Sequence, residues 1–180
     1  MHKLIIPTSE MYDERTSRFI TIPGKEIQVE HSLVSISKWE SKWKRPFISD
    51  KPMTREQTID YIRCMTITQN VDPILYYAVS DANIKEIKDY IADPMTATTF
   101  RNTSGGRVNR QVITSEIVYY WMIDLGIPKE FEKWHFNRLM TLIRVCSEKS
   151  QGGKKMSRKD VISQYKALNQ ARRAKSGSKG

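Results

Sequence analysis

Two short segments near the N-terminus alternate between hydrophobic and polar residues, Arg18–Ile22 and Lys25–Val29. Such alternation with β-branched residues is typical of half-buried strands. Pro23-Gly24 between them is turn chemistry, because proline presets φ and glycine accepts a positive φ. The pattern therefore predicts a β-hairpin within residues 1–33. Two strands alone are only marginally stable in water, so we expect the hairpin to pack on helices or on another subunit.

From residue 32 onward the apolar residues recur every three or four positions, which is the period of an amphipathic helix. Serine, threonine and aspartate precede several of these segments, and their side chains cap helix N-termini. The predicted helix starts are Ser32, Thr54 with Gln57 as its capping-box partner, Asp72-Pro73, and Ser80 or Asp81. The central part of the chain is therefore predicted to be a series of short helices.

The segment Glu116–Leu125 is apolar on nearly every side, which indicates a central core helix. A glycine cap and a proline at residues 126–128 separate it from a second apolar helix, Lys129–Ser147. We expect these two helices to form a helical hairpin at the centre of the fold. The predicted fold class is a mainly α-helical domain over residues 1–148, with the N-terminal β-hairpin as an arm.

The net charge of +10 is distributed unevenly along the chain. Residues 149–180 hold ten Lys and Arg against one acidic residue, whereas residues 1–148 hold 20 basic and 19 acidic residues. We therefore predict a basic linker, helix and flexible tail after the nearly neutral domain. The tail has three possible roles: neutralising the phosphates of a nucleic acid, docking on an acidic protein surface, or serving as a solvated extension.

Residues 93–112 are rich in Thr, Asn, Ser, Gly and Arg and are predicted to form a long mobile loop. Loops of this length are often functional, so an anionic or subunit contact is an alternative to a simple surface connector. The candidate partner-binding residues are the cations of this loop and of the basic tail. They are Arg101, Arg107, Arg110, Lys154, Lys155, Arg158, Lys159, Arg172 and Arg173.

Catalytic and cofactor-binding motifs are missing from the sequence. It has neither a Gly-x-Ser-x-Gly elbow nor a phosphate-binding loop. Two cysteines and three scattered histidines do not supply the closely spaced ligands of a structural zinc site. Glu132 and His135 are three residues apart on a predicted helix, which favours a surface ion pair. We assign no catalytic, cofactor-binding or metal-binding residue and no cofactor, and an enzyme is the least supported class.

Trp39 and Trp43 share a predicted helix face beside several lysines and Arg45. This arrangement is compatible with an aromatic and basic nucleic-acid surface. It is equally compatible with lysine stems that pack over buried aromatic rings, which is the interpretation we favour.

The longest uninterrupted apolar run, Ile117–Ile123, is much shorter than the roughly 18 residues needed to cross a bilayer. The first residues are too few and too quickly charged to form a signal peptide. We therefore expect neither secretion, nor membrane insertion, nor a membrane partner.

Several stretches carry a family resemblance that covers roughly residues 30–175. They are His31–Glu40, Ile59–Ile62, Cys64–Thr66, Ile113–Ile123, Lys133–Cys146 and Lys154–Ser157. Together they resemble a family of small proteins from tailed bacteriophages, the tail assembly chaperones.

The resemblance implies a non-enzymatic, mostly helical and self-associating protein. Such a protein binds the phage tape measure protein and keeps it soluble until the tail tube protein takes its place. It acts in the host bacterial cytoplasm and is absent from the mature virion. Two other classes stay open: a structural tail or connector subunit of the virion, and a nucleic-acid-binding phage protein that uses the basic tail.

Overall fold

The computed structural model describes residues 1–14, 17–100, 112–152, 162 and 165. The chain divides into two compact units, Met1–Arg144 and Val145–Gly180. The strands are β1 (His2–Ile6), β2 (Ser9–Asp13), β3 (Arg18–Ile22) and β4 (Lys25–Val29). The α-helices are α1 (Leu33–Trp43), α2 (Arg55–Met65), α3 (Asp81–Ala92), α4 (Ser115–Asp124) and α5 (Phe136–Gly152), with 3-10 helices at Pro73–Ala78 and Lys129–Lys133. Among the described residues, no helix combines the length and apolar character that a bilayer-spanning helix requires.

The four strands form two antiparallel pairs, β1 with β4 and β2 with β3. Both pairs keep one register, because the numbers of the paired residues add to 31 throughout, from His2 opposite Val29 to Asp13 opposite Arg18. The two sheets are therefore the inner and outer halves of a single long hairpin. The halves are separated where Pro7 and Pro23, which have no N–H to donate, interrupt the ladder.

The buried face of this hairpin changes at the interruption. In β1 the even-numbered residues Leu4 and Ile6 are buried, whereas in β2 the odd-numbered residues are the more covered ones. Gly24 lies in the break, and its N–H donates to the Thr8 hydroxyl at 3.0 Å. A Cβ atom at Gly24 would lie 2.7 Å from the Thr8 nitrogen and 2.9 Å from the Ile6 carbonyl oxygen. The bend therefore requires glycine, because the backbone segment at Gly24 approaches the opposite segment at residues 6–8 closely.

Replacing Gly24 by alanine is expected to destabilise the protein by about 2 kcal/mol, because both clashing atoms belong to the backbone and cannot rotate away. Urea unfolding of G24A measures the loss. Gly126→Ala is an informative comparison, because a Cβ there meets no atom within 4 Å but the residue has a positive φ of 63°. The close approach at Gly24 is contradicted if G24A unfolds at the wild-type urea concentration.

The pairing corrects the predicted fold class. An N-terminal hairpin is present, and β3 and β4 cover the predicted residues, but these strands do not pair with each other across Pro23-Gly24. The strands also supply a large part of the core, with five residues that are almost fully buried: Leu4, Ile6, Ile22, Ile27 and Val29. The prediction of a mainly α-helical domain with a hairpin arm is therefore wrong. The described body combines a β-hairpin and helices in one core.

The first three helices begin where their caps predict. Ser32, Thr54 and Ser80 are the N-caps of α1, α2 and α3, and each forms a reciprocal capping box with the residue three positions later. Such boxes satisfy backbone N–H groups that have no partner within the helix. α1 packs on α2, and α3 packs on β1. The resulting core contains Trp39 and Tyr61 as its largest fully buried side chains.

The predicted hairpin of two long helices is also wrong. Only Ser115, Val118 and Met122 of α4 are buried, so α4 lies at the surface. The predicted helix Lys129–Ser147 is interrupted, because the chain at His135 forms a β-bridge with Ser32. This bridge requires extended backbone, so a short 3-10 helix precedes it and α5 begins only after it.

Candidate functional site

The predicted partner-binding cations lie outside the described residues. They are Arg101, Arg107, Arg110, Lys154, Lys155, Arg158, Lys159, Arg172 and Arg173. The long loop is described only at its ends, and of the predicted C-terminal helix only Ile162 and Tyr165 are described, both helical and exposed. Gln151 and Gly152, predicted as linker, belong to the helix α5. These cations therefore remain candidates on the evidence of the sequence alone.

Glu132 and His135 do not form the predicted ion pair. The Glu132 carboxylate accepts a hydrogen bond from the Tyr119 hydroxyl at 2.9 Å, whereas the His135 Nε2–H donates to the Tyr90 carbonyl at 3.2 Å. Among the described residues, no group of three or more His, Cys, Asp or Glu side chains is arranged to hold a metal ion. Burial, and then the nearby Asp60, raises the pKa of the Cys64 thiol to about 11. That thiol is protonated at neutral pH and therefore a poor nucleophile.

A buried hydrogen-bond network surrounds His31, which is 2% exposed. Its Nδ1 lies 2.5 Å from the Tyr61 hydroxyl, which lies 3.2 Å from the Ser35 hydroxyl. Ser35 in turn donates to the Ser32 carbonyl at 2.7 Å. One assignment of protons satisfies all three bonds, with His31, Tyr61 and Ser35 each donating to the next group. The network resembles a catalytic relay in composition, but its members are buried, so we assign it a structural role.

The tryptophans of α1 are packed, as favoured from the sequence. Trp39 is fully buried and its Nε1–H donates to the Gln57 carbonyl at 3.0 Å. The Arg45 guanidinium lies 5.7 Å from the Trp39 ring centroid and also bonds to the Gln57 side chain. The indole of Trp43 is half-buried, and its Nε1–H donates to Asp60 at 2.9 Å. A nucleic-acid surface built on both tryptophan rings is therefore excluded by the burial of Trp39.

A groove of about 490 Å³ lies between α1, α2 and the 3-10 helix at Pro73–Ala78. We call it the aromatic groove, because its apolar lining consists of Trp43, Ile59, Pro73, Tyr76 and Tyr77. Its volume lies within the usual range of ligand-binding clefts. The groove therefore offers a preformed apolar surface with several aromatic contacts.

Five charged residues border the aromatic groove: Lys42, Arg55, Glu56, Asp60 and Arg63. Two of the cations are already neutralised, since Lys42 pairs with Asp60 and Arg55 pairs with Asp81. Within the described part of the chain, the Glu56 and Arg63 side chains have no ion pair. One charge of each sign is therefore available along the same wall of α2.

Among the described residues, another exposed apolar surface is the outer face of α4. Tyr120 is 62% exposed and Ile123 is 79% exposed, and the half-buried Ile117 continues their row one turn earlier. Beside this row lies a hollow of about 430 Å³, lined by Tyr119, Met122, Ile123, Ile127, Lys129 and Glu132. Exposed apolar residues that form a row beside a hollow mark interaction sites more often than isolated ones do. We call the row and hollow together the α4 surface.

No protein-family model matches the chain, and no curated protein or solved structure matches it. Functional inference for this protein therefore depends on its residues, its geometry and the resemblance of its sequence stretches.

The residues of both surfaces were visible in the sequence, but their pattern did not predict that they form exposed binding surfaces. The apolar residues on all sides of α4 indicated a central helix, but they also fit a helix with one face in the core and another exposed. Tyr77 lies inside the short helical segment predicted from Asp72-Pro73 to Val79 and was not predicted as a binding residue. Its exposure of 73% follows from the turn of the 3-10 helix, which buries its neighbours Tyr76 and Ala78.

Proposed function

We propose that the protein is a bacteriophage tail assembly chaperone that binds the tape measure protein and keeps it soluble during tail tube assembly. The mechanism is non-enzymatic: reversible coverage of apolar helical stripes until the tail tube protein takes the chaperone's place. The α4 surface is the observation that supports this proposal. Its row of exposed apolar residues lies within Ile113–Ile123, one of the stretches on which the resemblance to tail assembly chaperones depends.

The α4 surface has the chemistry that such a role needs. An exposed isoleucine and an exposed tyrosine lie one turn apart, so together they match the i, i+3 spacing of an apolar stripe on a partner helix. The adjacent hollow can accept a side chain from that stripe. The Tyr119 hydroxyl is fixed by its hydrogen bond to Glu132, and burial followed by this carboxylate raises the pKa of Tyr119. The wall of the hollow is therefore positioned before a partner arrives.

The proposal predicts that Y120S/I123S loses the partner without losing the fold. Both residues are largely exposed, so the substitution has little effect on stability, whereas losing two apolar anchors lowers affinity by about tenfold or more. The measurement is co-expression with the tape measure protein of the same gene cluster, followed by pull-down in about 0.5 M salt. At that salt concentration the screening length is about 4 Å, so tail electrostatics contribute little.

Tyr12→Ser is the matched control, because Tyr12 is an exposed aromatic residue on β2, which contributes no residue to the α4 surface. The wild type and Y12S are expected to keep the tape measure protein in the soluble fraction, and Y120S/I123S is expected to leave it aggregated. Aggregation with the wild type contradicts the chaperone function. Equal retention by all three proteins contradicts the assignment to α4. Detection of this chain in purified virions at structural stoichiometry would favour a tail or connector subunit instead.

A further inference from the structure

The lining of the aromatic groove is held in place by hydrogen bonds. The Trp43 indole donates to Asp60 at 2.9 Å, and the Tyr76 hydroxyl donates to the Thr66 hydroxyl at 2.9 Å. Tyr77 projects beside these fixed rings and is 73% exposed. Binding here needs little ordering of the lining, and an exposed tyrosine beside a preformed pocket is a common anchor of protein interfaces.

The two charged side chains without an ion pair, Glu56 and Arg63, lie a defined distance apart along the groove. Glu56 and Arg63 are seven residues apart on α2, which places them on one face, two turns and about 10.5 Å apart. Ile59 and Asp60 lie between them on the same face. This wall of the groove therefore begins with the unpaired carboxylate of Glu56 and ends with the unpaired guanidinium of Arg63. Between them lie the apolar Ile59 and the Asp60 carboxylate, which is neutralised by its ion pair.

We infer that the aromatic groove binds a two-turn segment of an amphipathic helix that carries one basic and one acidic side chain about seven residues apart. The acidic side chain of the ligand meets Arg63 and the basic one meets Glu56, while its apolar side chains enter between Trp43 and Tyr77. Helix-in-groove binding uses anchors at this spacing. The inference is separate from the proposed function, because it concerns a different surface and a different set of residues.

Charge complementarity favours a protein helix over a single-stranded nucleic acid as the occupant. A nucleic acid needs several unpaired cations along its backbone besides rings on which bases stack. Of the three cations that border the groove, Lys42 and Arg55 are neutralised by carboxylates. Glu56 adds an unpaired negative charge at one end, which repels phosphate. The occupant that satisfies both ends is a ligand with charges of both signs.

The test uses fluorescent helical peptides of about 14 residues, which share one apolar stripe and differ only in two positions seven residues apart. The mixed peptide carries Lys and Glu there, the dibasic peptide carries two Lys, and the diacidic peptide carries two Glu. Binding is measured by fluorescence anisotropy with the full chain at low and moderate salt. An oligothymidylate of similar length is the nucleic-acid probe.

The wild type is expected to prefer the mixed peptide over both others by about threefold to tenfold, the usual size of such charge effects at a partly exposed interface. Arg63→Glu gives the groove two unpaired carboxylates, in addition to the paired Asp60, and is expected to shift the preference to the dibasic peptide. Glu56→Lys is expected to shift it to the diacidic peptide. Tyr77→Ala is expected to lower the affinity for all three peptides by about tenfold.

Lys88→Glu is the matched control, because it reverses an exposed charge on α3, which does not line the groove. It should leave every affinity unchanged, as should Y120S/I123S. A preference that fails to follow the substitutions at Glu56 and Arg63 overturns the inference, and so does tighter binding of the oligothymidylate. Circular dichroism of each variant establishes that the fold is intact, and the charge-reversal pair remains decisive if Y77A is unstable.

Discussion

Replacing Glu40 by alanine is expected to destabilise the protein by about 3 kcal/mol and to loosen α4. The Glu40 side chain is buried between α1 and α4, and its two carboxylate oxygens accept the N–H groups of Phe47 and Ser115, each at 2.8 Å. Hydrogen bonds to a charged acceptor contribute about 1.5 to 3 kcal/mol each, and the release of a buried charge offsets part of their loss. The substitution leaves two backbone donors without an acceptor.

This carboxylate also replaces a local helix cap. Thr114 occupies the N-cap position of α4, but its side chain makes no capping hydrogen bond. Glu40 supplies the acceptor from another helix, and its negative charge suits the positive end of the α4 dipole. The start of α4 is therefore held by a tertiary contact. Removing the Glu40 carboxylate should loosen α4 itself as well as lower the stability of the whole fold.

Urea unfolding and amide hydrogen exchange measure the two effects separately. E40A should shift the unfolding midpoint strongly and raise exchange in residues 115–124 more than in α2. Glu130→Ala is the control, since Glu130 is exposed and should change neither measurement. A loss below about 1 kcal/mol, or equal exchange in α4 and α2, contradicts the capping role of Glu40.

Acid is expected to destabilise the protein through its buried histidines. Burial, and then the adjacent His135, lowers the pKa of His31 to about 3, and burial also lowers the pKa of His135. The unfolded chain binds a proton at His31 below a pH of about 6.5, whereas the folded chain does not until about pH 3. Stability is therefore fully present above pH 6.5 and falls as the pH decreases through this window.

The expected slope from His31 is about 1.4 kcal/mol per pH unit, and up to about 5 kcal/mol over the whole window. That total is comparable to the entire stability of an ordinary domain. Tyr61, Tyr90 and Glu30 face the same cluster, and the Tyr90 hydroxyl donates to Glu30 at 2.6 Å. The His135 Nδ1 has no hydrogen-bond partner among the described residues, so a proton added there gains no hydrogen bond.

The slope is measured from urea midpoints between about pH 7 and pH 5, above the range in which carboxylates protonate. His31→Gln keeps a side chain that can hydrogen-bond to Tyr61 but cannot titrate. H31Q is expected to be less stable than the wild type at pH 7 and to show a shallower dependence on pH. An unchanged slope in H31Q contradicts the assignment of the acid sensitivity to His31.

Local chemistry predicted the helix starts because capping depends on residues within one turn. Ser32, Thr54 and Ser80 each satisfy N–H groups three residues away, and no distant part of the chain is needed. The residues of β3 and β4 were predicted for the same reason, since alternation is local. Two predictions depended on contacts between distant parts of the chain, namely the strand pairing and the start of α5. Both of these predictions were wrong.

Those errors have one physical origin. β4 pairs with residues more than 18 positions earlier, and the extended backbone at His135 is explained only by Ser32, about 100 residues away. Periodicity describes which face of a segment is apolar, but not what covers it. The same limit applied to α4, whose two apolar faces indicated a central helix although one of them is exposed.

Of the candidate binding residues, the sequence directed attention to cations in the loop and tail, which lie outside the described residues. The aromatic groove was not predicted as a unit, because its lining comes from α1, α2 and the 3-10 helix, and their proximity is a tertiary property. Trp43 was recognised as an aromatic residue near lysines, but its partner Asp60 was not. Only the structure brings Glu56, Arg63 and Tyr77 to one groove.

Because the N-terminal hairpin keeps one register along its whole length, its outer half, β2 with β3, can be shortened by paired deletions. Removing one residue from β2 and its opposite residue from β3 shortens the outer half while every pair between β1 and β4 is preserved. An unmatched insertion between β1 and β2 has the opposite consequence, because it offsets the outer half against the inner half and reverses the faces of one strand. The tip of the hairpin is thus a natural place to graft a recognition sequence of chosen reach, provided that both strands change together.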